Sequence, residues 1–336
     1  MPPQGPPAGA ADAKACYTVT LDKSKVKRGI MNYVAVFLWI GWTNFYFNFT
    51  LAIPLLYMYN KTLLSVLTGA ILLSAFSSID RKKQPKWCWR LGEYVMRRSA
   101  EYFHVRMIVE DREALEKAGP VLFAMEPHHV LPLSIFAFND CLKGFEGQRC
   151  LGCLTGAAFK VPLMRHMYTW CNSISVDKRS ITKYMGQGYS PVLCPGGVQE
   201  VILMKNEDEC VLYLKSRLGF IKLALTHGRP IVPVFAFGLQ NSFFFFVPRG
   251  KFMAGVARKL GFLPMAFFGV FGTPLGPARP CDYTNYIGSP IPVPKIEHPS
   301  EADLRKYQAL YVAALSKIFE DHKEQFGMGR FTLRVA

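Results

Sequence analysis

Two uncharged stretches dominate the first quarter of the chain. Met31–Asn60 carries no charged residue, and beyond Lys61 the run Thr62–Ile79 is again uncharged. The first exceeds the length a helix needs to cross a bilayer core, and the second is just long enough. Lys23, Lys25, Lys27 and Arg28 precede the pair, and Arg81, Lys82, Lys83 and Lys86 follow it. Basic clusters at both outer ends place those ends on the cytoplasmic side. The pattern therefore predicts a membrane hairpin of two apolar helices over 31–79, with Asn60-Lys61 near its far tip. Pro54 should kink the first helix or end its regular part. Buried core helices are the competing reading, but uncharged runs of this length with basic flanks are uncommon in soluble domains.

From Trp87 onward the pattern becomes an alternation of short apolar runs and amphipathic segments. Arg90–Ala100 reads as an amphipathic helix, His104–Val109 as a strand, and Asp111–Ala118 as a short helix ended by Gly119-Pro120. Val121–Met125 reads as a buried strand that runs into the polar corner Glu126-Pro127-His128-His129; the apolar run Val130–Phe138 follows. Cys150–Thr155 is a further strand, and Lys160–Cys171 a helix after Pro162. Ile174–Val176 is a strand ending in Asp177-Lys178-Arg179. Pro191–Cys194 is a strand closing with Pro195-Gly196-Gly197-Val198-Gln199-Glu200. Glu209–Thr226 reads as a helix with Lys215, Arg217 and Lys222 on a basic face. Ile231–Phe237 is continuously apolar, as a central strand should be. Repetition of strand, helix and strand predicts an α/β fold for 87–336, a mostly parallel central sheet flanked by helices.

Composition sharpens this picture. Half of the 336 residues are hydrophobic and 14% aromatic, rich for a soluble protein, and the formal net charge is +16. Such a surplus favours an anionic partner. Nucleic acid is the weakest choice, because the basic residues are scattered and no zinc-finger spacing or recognition-helix signature is present. Residues 1–30 read as a basic cytosolic N-terminus, disordered over the Pro-, Gly- and Ala-rich Met1–Lys14. The nine cysteines form no regular framework and fit reduced thiols. Cys150 and Cys153 form a lone CxxC with no matching second pair, which argues against a zinc or redox role.

In a parallel sheet the histidine corner, the Asp177-Lys178-Arg179 end and the Gly-Gly turn before Glu200 fall on one edge. That edge would gather an imidazole, cationic groups, exposed backbone N–H groups and a carboxylate. Together they suit deprotonation of a hydroxyl, binding of an anionic cosubstrate and stabilisation of an oxyanion. No GxSxG elbow and no Rossmann or Walker loop is present.

Several motifs, in order, make the chain similar to the type-2 diacylglycerol acyltransferase family. Glu126-Pro127-His128 resembles that family's His-Pro-His-Gly corner in its Glu-Pro-His variant. Pro195–Glu200 resembles its Pro-Gly-Gly-x-x-Glu block. Arg217-Leu-Gly-Phe220, with Leu223-Ala224, His227-Gly228 and Val232-Pro233-Val234, resembles its Arg-x-Gly-Phe block. Gly288–Ile291 and Tyr307–Gly327 look like its C-terminal segment.

The resemblance implies a glycerolipid-acyltransferase-like domain that moves an acyl chain from acyl-CoA to diacylglycerol. Monoacylglycerol or a long-chain alcohol is an alternative acceptor. It implies the endoplasmic reticulum membrane, or a lipid-droplet surface, with both termini cytosolic. The bilayer is then a partner and a homo-oligomer is left open. No metal or organic cofactor is required, acyl-CoA being a cosubstrate. A non-enzymatic lipid-droplet scaffold would share the hairpin but would need none of His128, Gly196, Gly197 and Glu200.

In this reading His128 is the base and Glu200 its candidate partner, with Glu126 second. The wider superfamily places an aspartate five residues beyond its histidine, where this chain has Leu133. His129 stands where the family usually has Gly or Ser, and neighbours in an extended corner point opposite ways, so only one histidine should face the pocket. Backbone N–H groups near Gly196-Gly197 would hold the oxyanion, and Arg179, Lys215, Arg217 and Lys222 as a group would take the CoA phosphates. Phe243–Phe246 and Val256–Phe271 either line an acyl tunnel or dip into the membrane interface.

Overall fold

The computed structural model describes residues 17–20, 28–141, 147–204, 208–246, 255 and 265–336. Met1–Lys14, the lysines at 23, 25 and 27, and most of Val256–Phe271 lie outside them.

The uncharged N-terminal quarter forms three helices: α1 (Ile30–Ile40), α2 (Trp42–Tyr59) and α3 (Lys61–Phe76). The run Met31–Asn60, expected as one helix, is broken at Gly41, where α1 and α2 meet at 82°. A side chain at Gly41 would collide with the carbonyl and ring of Phe37, so the corner needs a glycine. Pro54 lies inside α2 and does not end it. Burial divides the three. In α1, Asn32, Ala35, Val36, Trp39 and Ile40 are buried, and Asn32 Nδ2 donates to the Arg98 carbonyl and to Glu101, both at 3.0 Å. The first helix is thus part of the globular core. By contrast α2 has no buried residue and α3 only Ser74. Among the described residues no single helix is long and apolar enough to cross a membrane, although the bent pair is by length and composition.

The body alternates strands and helices: β1 (Tyr17–Thr20), α4 (Lys86–Tyr102), β2 (Arg106–Val109), α5 (Arg112–Lys117), β3 (Leu122–Glu126), α6 (Ser134–Cys141), β4 (Cys150–Leu154), α7 (Met164–Trp170), β5 (Ser173–Ser175), α8 (Lys178–Met185), β6 (Ser190–Leu193), α9 (Val198–Leu203), β7 (Glu209–Leu212), α10 (Gly219–His227), β8 (Ile231–Phe237), β9 (Phe244–Phe246), β10 (Ala266–Phe268), β11 (Thr284–Ile287), α11 (Glu301–His322) and β12 (Thr332–Val335). The eight-stranded sheet has the order β1-β2-β11-β8-β3-β6-β4-β5. Neighbours run parallel from β8 through β3, β6 and β4 to β5, while β11 is antiparallel to β8 and β1 to β2.

The two-residue period of the strands sorts the core. Phe123, Met125, Val232 and Val234 face α1, α4, α6 and α7. Leu122, Ala124, Ile231 and Phe235 face α8, α10 and α11. The same period separates Cys150 from Cys153 in β4, three positions apart and therefore on opposite faces. Burial raises both thiols to about 12, so the CxxC is packing material.

The helix expected over Glu209–Thr226 is instead strand β7, a turn, and α10. Cys210, Val211 and Leu212 are buried, and β7 pairs in parallel with β12 at the C-terminal end of the chain. That distant partner favours the extended form. The helix starts only at Gly219 and ends where Gly228 takes φ +60°.

Candidate active site

Strands β3 and β6 are parallel neighbours, so the turns leaving them stand side by side at the carboxyl edge of the sheet, where open α/β folds bind ligands. The first turn carries Glu126 through His129 and the second Cys194 through Glu200. Glu200 lies in α9, 1% exposed. Its Oε2 accepts the main-chain N–H of His128 at 2.7 Å, and its Oε1 the main-chain N–H of Tyr213 at 3.0 Å. Glu200 was expected to orient the imidazole; it holds the backbone that carries the imidazole. The ring itself is held by the His129 carbonyl, 2.8 Å from His128 Nδ1. A carbonyl can only accept, so Nδ1 bears the proton and Nε2 keeps its lone pair. Burial lowers the His128 pKa, which keeps the ring neutral and ready to accept a proton.

The two histidines separate, although the corner is not extended at His129. His128 lines a cavity of roughly 1430 Å³, whereas His129 does not. His129 Nε2 is buried without a hydrogen-bond partner, and burial drives its pKa down to about 4. His129 has φ +51°, the left-handed region that glycine adopts at no steric cost. That accounts for the glycine of the resembling motif at this position. Leu133, where the wider pattern has aspartate, is buried and lines the cavity. The main-chain carbonyl of His129 takes over the ring-orienting task.

Glu126, fully buried at the end of β3, faces inward. Its Oε1 accepts the Gly196 N–H at 2.6 Å and its Oε2 the Cys194 thiol at 3.0 Å. It also shares a hydrogen bond with Glu200. Burial and the neighbouring Glu200 push its pKa well above the carboxylate range. Glu200 is raised less, to about 7, because burial is opposed by the N–H groups it accepts, by Glu126 and by the Arg217 charge. Glu126, Cys194 and Glu200 bring three potential metal ligands within 4.8 Å of one another. The three are hydrogen-bonded to one another or to main-chain N–H groups, and the cluster works as a clasp joining the two turns.

The clasp uses one of the N–H groups expected to meet an oxyanion, since the Gly196 N–H is committed to Glu126. A side chain at Gly196 would collide with the Glu200 carboxylate, which explains glycine there.

The basic group splits as well. Arg217 and Lys222 line the cavity; Arg179 and Lys215 do not. Arg217 donates to the Gly196 carbonyl at 3.2 Å and lies over the Tyr213 ring, so it braces the turn. Lys178, next to Arg179, does line the cavity. The sequence reading named Arg179 and not Lys178, which Asp177 as the N-cap of α8 makes the first helical residue. Cys194 and Tyr213 were also missed. Cys194 carried a signal in its place directly before the Pro-Gly-Gly block, whereas Tyr213 acts through its main chain and left none.

The remaining cavity wall is mostly apolar, with Ile40, Leu131, Phe136, Leu154, Met164, Tyr168 and Phe267. A neutral imidazole on a greasy cavity rimmed by Lys178, Arg217 and Lys222 can take a proton from a lipid hydroxyl beside an anionic cosubstrate. That is the equipment of an acyl-transferring enzyme. The chain belongs to the diacylglycerol acyltransferase family, which it matches over residues 55–335. It is 30% identical over 259 residues to diacylglycerol O-acyltransferase 2 of Mus musculus, a match covering 71% of this chain and 66% of that one. It is 30% identical over 258 residues to acyl-CoA wax alcohol acyltransferase 2 of Mus musculus, covering 71% and 75%. Among solved structures it resembles the 1-acyl-sn-glycerophosphate acyltransferase of Thermotoga maritima, with 17% identity and a TM-score of 0.41 over 88% of this chain and 97% of that one.

Proposed function

We propose that this chain transfers an acyl group from acyl-CoA to the free hydroxyl of diacylglycerol, making triacylglycerol. The observation that carries the reading is the His128 ring, neutral, fixed through Nδ1 and exposed to a cavity larger than the ~300–1,000 Å³ of ordinary ligand sites. Such a volume suits two lipidic substrates at once. His128 Nε2 takes the hydroxyl proton as the acceptor oxygen attacks the thioester carbonyl. The tetrahedral intermediate collapses, the C–S bond breaks, and the CoA thiolate recovers the proton from the imidazolium. Lys178 and Lys222 lie where CoA phosphates would find charge.

The exposed apolar helices α2 and α3 form the membrane hairpin in this reading, with α1 counted in the catalytic domain. At 18 and 16 residues neither helix is by itself long and apolar enough to cross a bilayer, so the hairpin dips into the endoplasmic reticulum membrane, where we place the enzyme, with both ends cytosolic. A long-chain alcohol as acceptor is the second reading, favoured by the equal identity to the wax alcohol acyltransferase.

The test uses microsomes from cells lacking neutral-lipid synthesis, expressing this chain and fed labelled acyl-CoA with diacylglycerol, monoacylglycerol or a long-chain alcohol. Label should enter triacylglycerol foremost. Dominant wax ester would shift the assignment to the second reading, and no ester above the empty-vector level would refute both.

A further inference from the structure

Strands β9 and β10 form a separate two-stranded antiparallel sheet in which Phe244 pairs with Phe268 and Phe246 with Ala266. Alternation gives this plate two unlike faces. Phe244, Phe246 and Phe268 point outward and are 62%, 66% and 39% exposed. Phe245 and Met265 pack inward on Val201 of α9, the helix that carries Glu200, while Phe267 lines the catalytic cavity. The same few residues therefore show aromatic surface to the outside and touch the site on the inside.

The surroundings indicate what the outer face meets. Asn44 of α2 donates to the Pro274 carbonyl at 2.8 Å, so the plate adjoins the apolar α2–α3 protrusion. Phe271, 85% exposed, extends the patch and stacks on Tyr33 of α1. The Arg279 guanidinium sits 3.7 Å from the centre of the Phe244 ring. Exposed aromatic rings beside a cation, on a chain of net charge +16, match the boundary between acyl chains and anionic headgroups. Isolated exposed apolar residues need no explanation, but a contiguous aromatic patch does.

We infer that the β9–β10 plate is a second bilayer contact, distinct from the α2–α3 hairpin, whose outer phenylalanines enter an anionic leaflet and admit the lipid acceptor to the cavity behind them. The inference rests on the acyltransferase reading for the acceptor but not for the membrane contact.

The experiment compares the full-length chain with the triple variant Phe244→Ser, Phe246→Ser, Phe268→Ser. Activity is measured with dioleoylglycerol in vesicles of phosphatidylcholine and phosphatidylserine, and with dioctanoylglycerol in detergent micelles. The variant should lose about tenfold or more on vesicles, the minimum expected when buried aromatic surface is withdrawn, and retain activity in micelles. A second variant, Phe246→Trp, keeps the aromatic surface. Its added emission should be quenched by brominated phosphatidylcholine in the same vesicles. Equal activity of variant and wild type with both acceptors, an equal loss with both, or emission at 246 indifferent to brominated lipid overturns the proposal. Wild type inert toward both acceptors would remove the acyltransferase reading and leave the quenching result to decide the membrane contact.

Discussion

Glu200 acts on His128 through the main chain, and that decides what its substitution should do. Glu200→Gln replaces one acceptor oxygen by an NH₂ group aimed at a backbone N–H, either that of His128 or that of Tyr213. An unmatched buried donor costs ~1–3 kcal/mol. We expect a lower Tm by thermal melting together with a fall in kcat, since the corner that carries the imidazole loosens. The imidazole should also set the acid side of the pH profile. Burial lowers the His128 pKa, so the ring stays unprotonated, and active as a base, below the ordinary histidine value of ~6.5. The acid limb of kcat/KM should therefore fall on the low side of that value; an inflection above it would contradict the assignment. The sequence named His128 and Glu200 as the working pair but not how they meet. Both links, His128 N–H to Glu200 and His128 Nδ1 to the His129 carbonyl, use backbone atoms that every residue has, and no pattern of side chains announces them.

The strands β3 and β8 were legible as short apolar runs, and the carboxyl ends of the parallel strands gather the polar turns by topology. Strands β1 and β9 to β12 went unread, and β7, whose pairing partner β12 lies more than 100 residues away in the chain, was read as helix. Local apolar periodicity there fits a helix as well as a strand. The misreading placed Lys215 on a helix face that does not exist. Two substitutions separate the elements. Lys222→Glu in α10 should raise the KM for acyl-CoA with little change in kcat, while Arg179→Glu in α8, off the cavity wall, should change neither appreciably. Gly196→Ala, which drives a methyl group into the Glu200 carboxylate, should abolish most activity by opening the clasp between the β3 and β6 turns, even where melting shows the fold retained.

The whole molecule is a two-faced α/β body with an apolar limb. The composition announced the limb, and the structure moved its root: α1 packs into the core with α4 through Trp39 and Ile40, whereas α2 and α3 touch the body only near their ends, through Asn44, Tyr46, Ser74 and Ala75. An uncharged run cannot by itself say which part is buried in protein and which in lipid, because both environments select the same residues. If α2–α3 is embedded, alkaline carbonate should leave the chain in the membrane pellet, and Leu55→Asp with Leu73→Asp, at one exposed leucine of each helix, should release it. Retention of the double variant would refute the hairpin. The account as a whole turns on the imidazole at the carboxyl edge of β3, and one comparison addresses it directly: kcat for labelled acyl-CoA transfer by the reconstituted wild type, His128→Ala and His129→Ala at matched protein levels. Loss of the base predicts a fall of about 10²–10⁴-fold for His128→Ala and a far smaller one for His129→Ala. Near-normal transfer by His128→Ala would contradict it.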